Sequence, residues 1–175
     1  IANVPYIVRN GADWLRQWGT EKSPGFKLMS VSGHVKRPGV YEVALGTTMR
    51  QLLEYAGGMR NGGDPKFWLP GGSSVPMLTA DHLDLPLTYE DMAAAGTMLG
   101  TATPMVFDET VSVVKAVTRW LEFYSHESCG KCTPCREGTG WITGTLEKFE
   151  AGHGSEHELG LLEEVCGQIL GRSFC

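Results

Sequence analysis

Cysteine placement constrains this chain more than any other feature. Its five cysteines, Cys129, Cys132, Cys135, Cys166 and Cys175, all fall in the last 47 of 175 residues. A disulfide framework would spread an even number through a small secreted chain. An odd, clustered set, behind an Ile1–Asn10 segment with neither a basic nor an apolar signal-peptide region, points to metal binding in a reducing compartment. Cys129, Cys132 and Cys135 follow one another at two-residue gaps in Ser128-Cys129-Gly130-Lys131-Cys132-Thr133-Pro134-Cys135. Such spacing winds three thiolates around one point, and a cubane [4Fe–4S] cluster needs three such ligands and one more from elsewhere. Gly130 permits the sharp backbone, and Pro134 suits the first turn of a helix whose amide N–H groups and positive dipole end would face an anionic cluster. Lys131 and Arg136 flank the loop and offset its negative charge.

The fourth ligand must be remote, because the ferredoxin spacing would put it at position 139, which is Thr. Cys166 shares a helical stripe with Leu162, Ile169 and Leu170 and reads as a small core residue. Cys175 lies beyond a helix stop at Gly171, in a segment free to fold back, so the spacing favours Cys175. The competing reading is a four-cysteine zinc knot that folds an interaction module. Zinc sites use paired C-x₂-C units, and a third cysteine two residues further on is unusual for them. His126 reads as a surface residue near a helix end.

The rest of the chain divides by pattern into an α+β region followed by helices. Residues 1–25 read as a connecting segment. Residues 26–107 read as a small β-grasp-type domain. Phe26–Gly33 and Val40–Val43 form a hairpin about Lys36-Arg37-Pro38-Gly39, and a helix capped by Thr47 or Thr48 stops at Gly57-Gly58. Phe67–Leu69 and Thr103–Phe107 supply further strands, and Thr88 caps a short helix to Ala95. Residues 108–175 read as a helical domain. Apolar residues recur at helical spacing from Val111 to Tyr124, and helices follow over Pro134–Phe149 and Ser155–Leu170, the last with a Ser155/Glu158 capping box.

Composition excludes more than it assigns. Up to Phe107 nine acidic residues balance nine basic ones, and from Asp108 eleven face six, so the formal charge of −5 resides in the helical part and reads as a solvated surface. No basic footprint for nucleic acid exists. No apolar run nears the ~18 residues of a membrane span. The Gly33–Gly39 segment matches no phosphate fingerprint and reads as a hairpin turn. Asp81, Asp84, Glu90 and Asp91 read as helix capping, and Trp14 and Trp18 as packing. No triad for nucleophilic chemistry assembles, so no catalytic residue is assigned.

Colinear segments carry a resemblance. Ala2–Pro5, Arg9–Ala12, Gly19-Thr20-Glu21-Lys22-Ser23-Pro24-Gly25, Ser32–Val35, Arg37–Glu42 and Pro70–Ser74 precede Glu127–Gly138 and the closing Gly171-Arg172-Ser173-Phe174-Cys175. In this order they resemble the NADH- and flavin-binding subunit of respiratory complex I (NADH:quinone oxidoreductase), which has relatives in NAD-linked hydrogenases and formate dehydrogenases. The resemblance implies an oxidoreductase subunit in which NADH reduces FMN, and electrons leave singly through a [4Fe–4S] cluster held by Cys129, Cys132, Cys135 and Cys175. It implies a ubiquitin-like SLBB domain over Phe26–Leu78 and a helical cluster domain behind it. It further implies peripheral-arm partners, notably a thioredoxin-like [2Fe–2S] subunit and a large iron–sulfur subunit. The expected location is the bacterial cytoplasm, peripheral to the inner membrane, without direct membrane insertion. The family's flavin domain would lie before Ile1, so this chain alone is expected not to oxidise NADH.

Overall fold

Alternation along Phe26–Gly33 (β1) buries Met29 and Val31 and leaves Leu28 exposed, the period-two signature of a strand with one solvated face. The computed structural model describes residues 1–175, which form two compact units, Ile1–Thr110 and Val111–Cys175. In the first unit β1 pairs antiparallel with β2 (Gly39–Ala44), from Phe26 opposite Ala44 to Val31 opposite Gly39. Its other edge runs parallel to β4 (Met105–Phe107), which pairs antiparallel with β3 (Phe67–Leu69). The sheet order β2-β1-β4-β3 puts a parallel pair at the centre, and with α3 (Met49–Tyr55) this is a β-grasp arrangement within an α+β fold.

Local chemistry accounts for the helices. Thr48, rather than Thr47, caps α3: its hydroxyl accepts the Gln51 N–H, and the Gln51 side chain accepts the Thr48 N–H. Thr88 caps α4 (Tyr89–Ala94) by accepting the Asp91 N–H at 3.0 Å. Met49, Leu52 and Met92 from these helices meet Met29, Trp68 and Val106 of the sheet in one buried cluster. The Trp68 indole N–H donates to the Thr79 carbonyl at 3.0 Å, so the largest core side chain carries no unmet donor.

Three sequence expectations need correcting in this unit. Ile1–Pro24 is not a plain connector: it holds α1 (Val4–Asn10) and α2 (Ala12–Arg16), broken at Gly11. Neither helix buries a residue, so apolar periodicity had nothing to reveal; Tyr6 stacked on Trp14, itself edge-on to Phe26, ties them to the strand. Trp18 does not pack as expected of it, since it is 48% exposed. The acidic cluster does more than cap helices. Asp84 takes a two-pronged bond from Arg50 at 2.7 and 2.8 Å, and Glu90 accepts the Ser23 and Thr20 hydroxyls, pinning the Gly19–Gly25 loop to α4.

In the second unit Ser112 caps α5 (Val113–Glu127), α6 (Thr133–Glu150) follows, and the Ser155/Glu158 box opens α7 (Glu156–Ile169). α6 lies between the other two helices, burying Gly138, Thr139 and Ile142, with Val165 and Ile169 of α7 over Gly138. No helix is long and apolar enough to cross a membrane.

Two close contacts in the first unit are testable. Gly33 has φ +93°, and a Cβ there would lie 2.1 Å from the Val106 carbonyl oxygen, which accepts the His34 N–H at 2.8 Å. Gly33→Ala should therefore cost more than about 2 kcal/mol, read as a lower urea midpoint of the β-grasp unit. Asp108, nearly buried, is held below the ordinary carboxylate range, chiefly by the Thr110 hydroxyl, with the Thr110 N–H (3.0 Å) and the His34 ring (2.9 Å) adding to it against the opposing effect of burial. A depressed folded-state pKa contributes stability present above about pH 3.9 and lost as pH falls through the folded value. Acid unfolding curves should show wild type more stable than Asp108→Asn near neutrality, with the gap closing below pH ~4.

Candidate metal centre

The cysteine turn is built by the ends of two helices. α5 finishes at Glu127, Ser128 turns extended (φ −59°, ψ 124°), and Gly130 enters the left-handed region at φ +75°. A side chain is strained at such a φ, so the residue between the first two thiols is the one that reverses the chain. Cys132 then occupies the N-cap of α6 and Pro134 its first turn, which places Cys135 one turn into the helix. No side chain caps α6, so its first amide N–H groups remain available to an anion at that end.

Three further bonds hold this turn. The Arg136 guanidinium donates to the Gly130 carbonyl at 2.7 Å, and the Thr139 hydroxyl donates to the Cys135 carbonyl at 2.8 Å. The Ser128 oxygen accepts the Gly130 N–H at 3.3 Å and lies 3.4 Å from the Cys135 sulfur. Arg136 also pairs with Glu137 at 2.8 Å, so its guanidinium braces the loop and meets a neighbouring carboxylate at the same time.

The remote segment does return. The Lys131 ammonium stands 4.9 Å from the centroid of the Phe174 ring, a cation–π contact that joins the middle of the cysteine turn to the residue preceding Cys175. Neither partner carries a motif that announces the pairing, and sequence reasoning missed it, as it missed the sulfur contact of Ser128. All five cysteines are free thiols: Cys132 and Cys135 are half-buried, whereas Cys129 and Cys175 are exposed. The structure does not gather any three His, Cys, Asp or Glu side chains into metal-binding range. Neutral thiols have no attraction for one another, and bonds to metal are what draw such ligands together. In donor chemistry the site fits an iron–sulfur group: soft thiols, a glycine reversal and uncapped amides meet at one helix start.

Cys166 is not the core residue expected. The inward stripe of α7 runs through Leu162, Val165 and Ile169, and Cys166 sits one position round from it, exposed. A one-residue step turns a helical side chain by about 100°. What shielding its sulfur has pushes its thiol above the ordinary range, which disfavours the thiolate a metal needs. His126 is exposed as expected, 4.0 Å from Glu127.

Comparison with known proteins defines the class first. Residues 115–175 match the NADH-ubiquinone oxidoreductase-F iron-sulfur binding region, and residues 28–78 match the SLBB domain. The NADH-quinone oxidoreductase F subunit of Mycobacterium tuberculosis is 59% identical over 175 residues, covering all of this chain and 39% of that protein. The Escherichia coli F subunit is 44% identical over 177 residues, again across the whole chain and 40% of the relative. Among solved structures, an NAD+-reducing [NiFe]-hydrogenase in the H2-reduced state superposes with a TM-score of 0.86 at 36% identity, over 98% of this chain and 29% of that one. The chain belongs to the family of NADH-quinone oxidoreductase F subunits, and it spans about two fifths of the length of the curated relatives it matches.

The Lys131–Phe174 contact is checked by hydrogen exchange. Lys131→Met should speed exchange of residues 172–175 two- to fivefold, the equivalent of the ~0.5–1 kcal/mol of an exposed cation–π pair, and Lys131→Arg should preserve protection.

Proposed function

We propose that this chain is the cluster-bearing part of the flavin subunit of an NADH-quinone oxidoreductase, holding a [4Fe–4S] cluster on Cys129, Cys132, Cys135 and Cys175 for single-electron relay from FMN. What supports Cys175 as the fourth ligand is the contact of Phe174, the residue before it, with Lys131 in the middle of the cysteine turn. When bound, the cluster supplies a one-electron redox step. The chain's own residues bind and orient. Gly130 reverses the backbone, Arg136 fixes the loop carbonyl, and the first turn of α6 presents N–H donors toward negative charge. Ile142 and Thr139, buried behind the turn, keep α6 fixed on its neighbours.

In this reading NADH and FMN are held by the remainder of the flavin subunit, which works in a multi-subunit complex beside a thioredoxin-like [2Fe–2S] subunit and a large iron–sulfur subunit. The arrangement is peripheral to a bacterial inner membrane, on its cytoplasmic side. The hydrogenase neighbour offers a second reading, the flavin subunit of an NAD-linked hydrogenase. The higher full-chain identity to the quinone-linked relatives favours the first.

Anaerobic reconstitution with iron and sulfide tests the reading. The expected product is brown, contains iron and acid-labile sulfide in equal amounts, and gives an EPR signal on reduction. Stoichiometric zinc without that signal would overturn it in favour of a structural zinc module. Cys132→Ala and Cys175→Ala should each lose the iron, while Cys166→Ala should keep it and change stability by less than about 1 kcal/mol, as expected for an exposed site. Iron retained in Cys175→Ala and lost in Cys166→Ala would exchange the fourth ligand.

A further inference from the structure

Ser128 has a role that ligand counting does not assign. Its oxygen accepts the Gly130 N–H at 3.3 Å and stands 3.4 Å from the Cys135 sulfur. A serine hydroxyl has one proton and two lone pairs, and the Gly130 amide engages a lone pair, leaving the proton to be given. Between a serine and a free thiol either group can donate. A thiolate bound to iron has no proton, so ligation of Cys135 leaves one direction only, from the hydroxyl to the sulfur.

We propose that Ser128 donates a hydrogen bond to the cluster-bound sulfur of Cys135 and thereby raises the reduction potential of the centre. The inference rests on the cluster reading above. An electron added to an iron–sulfur group increases the negative charge on its sulfurs, so a donor aimed at one of them stabilises the reduced state more than the oxidised state. The donor is held from both sides. Ser128 is half-buried at the end of α5, and Gly130, whose N–H fixes the Ser128 oxygen, is itself held through its carbonyl by Arg136 at 2.7 Å. Little reorganisation accompanies reduction when a donor is oriented beforehand. Ser128 is thus a positioning and tuning residue rather than a ligand.

The test is a potentiometric EPR titration of the full chain reconstituted anaerobically, as wild type, Ser128→Ala and Ser128→Thr. Ser128→Ala should move the midpoint to more negative potential by about tenfold in the reduction equilibrium, which reads as about 59 mV for one electron. Ser128→Thr keeps the hydroxyl and should titrate like wild type. The midpoint is read on whichever chains carry the cluster, so partial loading does not blur it. A Ser128→Ala midpoint equal to wild type would overturn the proposal while leaving the ligand set intact. Complete loss of iron in Ser128→Ala, with retention in Ser128→Thr, would also overturn it by making the hydroxyl a scaffold for assembly. If wild type takes up no cluster, it is the preceding functional reading that fails.

Discussion

The backbone reversal at Gly130 is the constraint from which the C-terminal unit takes its form. It lets one thiol at the end of α5 and two at the start of α6 approach a common region, and it turns the uncapped end of α6 toward them. Everything near it serves to hold that turn. Arg136 grips the Gly130 carbonyl, Ser128 receives the Gly130 N–H, and Thr139 bonds back to the Cys135 carbonyl one helical turn away. A site of this kind needs rigid backbone and adjustable sulfur. The helices supply the first, and the exposure of Cys129 and Cys175 supplies the second.

The β-grasp unit solves a different problem. Its sheet must bring a parallel pair together at the centre, and the approach of β1 to β4 is so close at Gly33 that no side chain fits. Beyond that point the chain ends its sheet with a polar lock, His34 on Asp108, backed by Phe107 stacked on Phe67 at 4.7 Å. Polar groups at the edge of a core must find partners or lose more than they gain. Here the Thr110 hydroxyl and amide complete the set around the Asp108 carboxylate.

Much of the secondary structure was legible because its causes are local. Thr88 and Ser155 announce helix starts by accepting the amide N–H three residues on, Glu158 accepts the Ser155 N–H three residues back, and that geometry needs no tertiary partner. Alternation in Phe26–Gly33 declared a strand for the same reason. The short helices at Val4–Asn10 and Ala12–Arg16 escaped because they bury no residue, so no apolar stripe marks them. Cys166 was misplaced by one step around α7, since a stripe read from neighbours of similar polarity cannot resolve which flank faces a partner helix.

By itself the order of residues determined the spacing of three thiols, the glycine that lets them turn, and the colinear motifs along the whole chain that carry its family resemblance. Tertiary structure alone decided which distant groups meet: Phe174 on Lys131, His34 on Asp108, Glu90 on Ser23. The division has a physical cause. Spacing within one or two turns of backbone is set by bond geometry, whereas contacts between segments far apart in the chain depend on the path the packed polypeptide takes between them.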